Sequence, residues 1–194
     1  MRTLVIHPSD RTTDFLDKIY NGIDAVVIRG SVRDSFLREQ IAIADRVMLM
    51  GHGTPQGLLG PSQRMMIDQS HVGLLKTKKN LVGIWCNADG YFERYGLNGL
   101  YTGMIISEPM EARVFNVTAT DNQIWDSNHQ FAKSVKRGLE LFDPEYAAEQ
   151  VREFYTERPF AMARTNPVIQ YNVQNIYDSR ITTAGVEEVV ACTS

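Results

Sequence analysis

Two features of the chain are suited to covalent chemistry: the tripeptide Gly51-His52-Gly53 and, 34 positions beyond the histidine, Cys86. An ordinary thiol ionises near pH ~8.5, and a neighbouring imidazole either raises its thiolate fraction or takes its proton as attack begins. Such a pair is a nucleophile with its base, and its natural chemistry is acyl transfer. Glycines on both sides of His52 let the backbone turn sharply and a substrate come close, and the Gly53 amide can join that of Cys86 in facing a developing oxyanion. Taken singly, a histidine in a glycine turn or a cysteine beside tryptophan has ordinary structural uses. Their joint placement makes the case.

Each residue follows an apolar run, Val47-Met48-Leu49-Met50 before Gly51-His52 and Leu81-Val82-Gly83-Ile84-Trp85 before Cys86. Continuous apolar runs are expected of parallel strands covered on both faces by helices, and ligands of open α/β sheets gather beyond the carboxyl ends of such strands. Neighbouring strands would bring His52 and Cys86 out at one edge, about one strand spacing apart or somewhat more.

The rest of the chain reads the same way. Leu4-Val5-Ile6 precedes a helical pattern carrying Phe15, Leu16, Ile19 and Tyr20, and Ala25-Val26-Val27-Ile28 precedes one carrying Phe36, Leu37, Ile41 and Ala44. Ser31 and Asp34 have capping-box spacing, which predicts a helix start close to Val32. Gly57 to Pro61 and Met65 to Ile67 read as a hairpin, His71 to Lys79 as a short helix, and Tyr101 to Ile106 as a fifth strand. Thr120 and Gln123 form a capping box ahead of an apolar stripe of Ile124, Phe131, Val135, Leu139 and Phe142. Asp143-Pro144 opens a further helix with Ala147, Val151 and Phe154. The expectation is a single α/β domain over residues 1–194, a three-layer α/β/α architecture with a mostly parallel sheet of about five to six strands. The core sheet and its loops occupy 1–108 and helices 119–157, while 158–194 read as an irregular tail with room for a strand.

Composition excludes several classes. Twenty Lys and Arg against 23 Asp and Glu, a formal charge of -3 without a basic block, leave no footprint for nucleic acid. The apolar run at Leu4 is far too short for a signal peptide, and no stretch is long enough to cross a bilayer, so a cytoplasmic protein without membrane partners is expected. His7, His52, His71 and His129 are scattered without metal-ligand spacing, and neither a metal nor an organic cofactor is expected. Gly51 to Gly57 misses the dinucleotide fingerprint, its third glycine one position late and Pro55 interrupting, which leaves nucleotide binding as a minor alternative. Cys192 has only two residues after it and is expected to be structural or incidental.

An apolar strand, His-Gly, about thirty residues containing a hairpin, a second apolar strand and then cysteine, here VMLMGHG and LVGIWCNAD, resembles the caspase-like cysteine peptidases, the group of caspases, gingipains, legumains and clostripain. The likeness covers roughly residues 1 to 108. It implies a caspase-like fold, a Cys86–His52 dyad cutting peptide or protein substrates, and an oxyanion held by the amides of Gly53 and Cys86. Trp85 before the cysteine and Asn87-Ala88-Asp89 after it depart from the small residues common in the group. Family members set specificity near the cysteine strand and the next one, so Asp89 and Glu108 become candidates for receiving a basic side chain. Arg94 or Arg113 would serve an acidic one. The short stretch from Asn87 to Leu100 suits activity as an unprocessed chain. The competing expectation is a non-catalytic module of the same fold that binds at the strand ends.

Overall fold

The computed structural model describes residues 1–157 and 166–179. Cys192 lies outside them. In chain order the elements are β1 (Thr3–Ile6), α1 (Asp17–Tyr20), β2 (Ala25–Ile28), α2 (Asp34–Ile43), β3 (Arg46–Met50), β4 (Gly53–Thr54), β5 (Gly57–Leu59), β6 (Met65–Ile67) and α3 (Val72–Leu75). There follow β7 (Asn80–Ile84), α4 (Ala88–Tyr95), β8 (Gly99–Thr102), α5 (Pro109–Val114), α6 (Asp121–Leu141), α7 (Ala148–Thr156), α8 (Pro167–Val173) and β9 (Ile176–Asp178).

The main sheet has six strands in the order β2-β1-β3-β7-β8-β9, parallel except for β9. It is the central layer of an α/β/α sandwich. Because side chains alternate across a strand, Val5, Met48, Met50, Val82 and Ile84 join one core with Ile19 of α1, Phe131 and Val135 of α6 and Val151 of α7. Their neighbours Leu4, Ile6, Val47, Leu49 and Leu81 face Ile41 of α2, Leu75 of α3 and Tyr91 and Phe92 of α4. The continuous apolar runs of β1, β3 and β7 are thus accounted for by helices on both faces.

The expected capping box is present at α6, where the Thr120 hydroxyl accepts from the Gln123 amide at 3.2 Å and Gln123 Oε1 accepts from the Thr120 amide at 2.9 Å. Other boundaries differ from the sequence expectation. Helix α2 begins at Asp34 with Arg33 as its uncapped N-terminal residue, so Ser31 does not cap it. The fifth strand ends at Thr102 rather than Ile106, because the chain is taken over at Gly103 by the far end of the molecule. The Gly103 amide donates to the Asn175 carbonyl at 2.9 Å, and Asn172 clamps Ile106 from both sides, Oδ1 accepting from its amide at 2.8 Å and Nδ2 donating to its carbonyl at 2.9 Å. On α7 the buried positions are Ala148, Val151 and Tyr155, while Phe154 lies under the Arg137 guanidinium at 3.8 Å. The region that read as an irregular tail supplies α8 and the antiparallel edge strand β9, whose Asp178 accepts from the Ala148 amide at 2.9 Å.

Candidate functional site

Strands β3 and β7 pair in parallel with Met50 opposite Ile84, and the Gly51 amide donates to the Ile84 carbonyl at 3.0 Å. The register places His52 and Cys86 two residues beyond these partners, at the same carboxyl edge. Both line a cavity of about 510 Å³ together with Pro8, Asp10, Gly53, Met104 and Glu111. The residues brought together from the sequence are therefore His52, Gly53 and Cys86. Asp89 and Glu108 do not line this cavity. Asp89 sits in the first turn of α4 and accepts from the Gly90 amide at 2.9 Å. Glu108 precedes α5 and faces a separate cleft with Phe15, Lys18 and Trp125.

Trp85 ties the histidine loop to the cysteine strand. Its indole Nε1 donates to the Thr54 carbonyl at 3.0 Å, and a Cβ added at Gly53 would lie 2.0 Å from its Cδ1. Glycine at 53 is required by this close approach. The Leu59 amide donates to the His52 carbonyl at 2.8 Å, which makes the Gly53–Leu58 pair of β4 and β5 a non-hydrogen-bonded one and turns the Gly53 amide away from β5. After Cys86 the chain takes a left-handed turn at Asn87, φ 65°, and enters α4. Gly51 to Gly57 thus leads into a hairpin, without the helix N-terminus on which a dinucleotide fingerprint depends.

The connection after β1 supplies groups that sequence reading missed. Thr12 Oγ1 lies 2.7 Å from His52 Nε2 and donates to Asp10 Oδ1 at 2.6 Å, and the Thr12 amide donates to the same oxygen at 3.0 Å. A hydroxyl has one proton, and Asp10 takes it, so Thr12 accepts from Nε2–H and the free lone pair of His52 is on Nδ1. The Thr12 hydroxyl and amide hold the Asp10 carboxyl below the usual carboxylate range, with His52 adding to the effect. This connection is itself anchored by buried His7, whose ring nitrogens meet Tyr20 Oη at 3.0 Å and Thr13 Oγ1 at 3.2 Å. Burial pushes the His7 pKa down, against the pull of Asp17. No periodicity marks Asp10 or Thr12; the only sequence signal is a loop at a strand's carboxyl end.

Glu111 is the other unexpected member. One of its oxygens accepts from the Ser107 amide at 2.7 Å, the Ser107 hydroxyl at 3.0 Å and the Glu108 amide at 3.1 Å. The other lies 3.8 Å from the Cys86 sulfur, which also meets the Ile105 carbonyl at 3.8 Å. Burial first, and the Glu111 charge second, push the Cys86 thiol up to about 12. Among the described residues no hydrogen bond joins His52 to Cys86, and no three His, Cys, Asp or Glu side chains form a metal-ligand set.

One prediction is immediate. Burial and a neighbouring carboxylate both favour the protonated thiol, so alkylation of Cys86 should climb roughly tenfold per pH unit without levelling off until about pH 12. Iodoacetamide rates, read by peptide mass from pH 7 upward, check this; a plateau near 9 would show that the thiol is not held.

No protein-family model matches the chain, and no curated protein matches it. Among the described residues no helix is long and apolar enough to cross a membrane.

Proposed function

We propose that the protein is a cysteine peptidase that cuts peptide bonds through a Cys86–His52 dyad on a caspase-like framework. The observation that carries this reading is that His52 and Cys86 stand at matched positions beyond two adjacent parallel strands and line one cavity. In the reaction, the thiol proton passes to Nδ1 of His52 and the sulfur attacks the substrate carbonyl. The amides of Gly53 and Cys86 receive the oxyanion, and the imidazolium returns its proton to the leaving amine. Water then releases the acyl group from sulfur. Asp10, through Thr12, orients the imidazole and fixes which nitrogen is the base. No step calls for a metal or organic cofactor. A nucleophile that must stay reduced suits the cytoplasm, where this reading places the reaction.

The protonated thiol, unlinked to the imidazole, favours a second reading: a non-catalytic module that holds a peptide in the same cavity. The two are separated by incubating the protein with a pool of peptides and sequencing the new termini. Cleavage after a restricted set of residues by wild type, absent with Cys86→Ala, supports the peptidase. Retention of the same peptides by both proteins, without cleavage by either, supports the module.

A further inference from the structure

Among the described residues the cavity wall contains two carboxylates, Asp10 and Glu111, and no Lys or Arg. Glu111 is not free to turn away. Three donors from Ser107 and Glu108 hold one oxygen, and this fixes the other against the Cys86 sulfur at 3.8 Å. At that separation a fixed negative charge disfavours a second one, adding to the effect of burial on the thiol. A nucleophile placed beside such a charge ionises readily only when a cation arrives to offset it. Of the other titratable groups described near the sulfur, His52 is hydrogen-bonded to Thr12, and Tyr171 on α8 has its own pKa raised, by burial first and then by Cys86, Tyr177 and Glu111.

We propose that the cavity receives a cationic side chain, a guanidinium or ammonium group next to the peptide bond to be cut, and that this charge, seated against Asp10 and Glu111, is what lets the Cys86 proton pass to His52. The substrate class is then a peptide with arginine or lysine at the scissile position, and a neutral or acidic peptide leaves the enzyme in its protonated resting form. The substrate half of this proposal rests on the peptidase reading; the cation gate does not.

Alkylation of Cys86 by iodoacetamide, a neutral reagent, tests the gate in the full chain. At pH 8 and constant ionic strength, methylguanidinium or methylammonium should accelerate wild-type labelling at least tenfold, and the neutral isostere methylurea should not. Comparing the two cations decides between the arginine and lysine forms of the substrate. Glu111→Gln keeps the oxygen that caps α5 and removes the charge, so it should label at least tenfold faster than wild type without additive and gain nothing from either cation. Equal labelling with and without cation in wild type, or equal acceleration in Glu111→Gln, overturns the gate. The substrate half is read from hydrolysis of an acyl-arginine amide against its neutral citrulline isostere. A preference of at least a hundredfold that collapses in Glu111→Gln supports it, and equal cleavage of the two overturns it. Acceleration by cations with no hydrolysis of any peptide leaves the gate standing and removes the peptidase.

Discussion

Replacing Cys86 with alanine should reduce peptide hydrolysis on the order of 10⁶-fold, replacing His52 roughly 10²–10⁴-fold, and replacing both should be no worse than losing the cysteine alone. The reason is that the imidazole acts only on the proton of the sulfur and of the leaving group; without a nucleophile it has no proton to move. Thr12→Val should cost less than His52→Ala, since it keeps the base and removes the hydroxyl that orients it at 2.7 Å from Nε2. The fold should survive it, because what is lost is the hydroxyl through which Asp10 holds the imidazole. Initial rates on one cleaved peptide, with thermal unfolding of each variant as a control for folding, decide the matter. Strictly additive losses from the two alanine replacements would show that these side chains do not act as a unit.

Gly53→Ala is expected to damage both stability and turnover. The new methyl would lie 2.0 Å from Trp85 Cδ1 and 2.5 Å from Cγ, closer than any real contact. The indole cannot swing away cheaply, because it is buried, packs edge-on against Tyr91 with ring centroids 5.8 Å apart, and donates to the Thr54 carbonyl. Overpacking of this kind costs about 1–3 kcal/mol, a fall of roughly 2–12 °C in Tm for a chain of this size. If the loop moves instead, His52 moves with it and turnover falls even where the fold survives. Trp85→Leu in the same chain should restore part of the lost Tm by making room. Gly30→Ala, whose added Cβ meets nothing within 4 Å, should be near neutral. An unchanged Tm and rate for Gly53→Ala would mean that the indole does not bear on this loop.

The parts legible in the sequence were those written in local pattern. Val47 to Met50 and Leu81 to Trp85 announce buried strands because helices cover both their faces, and a residue directly after such a strand has little choice about where it emerges. That was enough to find His52 and Cys86. Asp10, Thr12 and Glu111 were not found, because what qualifies them is contact across connections far apart in the chain. The spacing of Glu108 and Glu111 around Pro109 marks a helix start, yet nothing local says that the later glutamate faces the sulfur while the earlier one faces another cleft. Ile105 and Ile106 misled for a related reason. Their apolar character reads as strand, whereas the backbone of Ile106 pairs with a buried asparagine 66 positions further on and the Ile105 carbonyl meets the Cys86 sulfur.

The indole of Trp85 belongs to the cysteine strand and holds the histidine loop by its nitrogen and by its face. Thermal fluctuations of that strand therefore carry the imidazole's loop along, so the gap between base and nucleophile should fluctuate less than the absolute position of either. Relaxation measurements would then find these two backbone segments moving in concert.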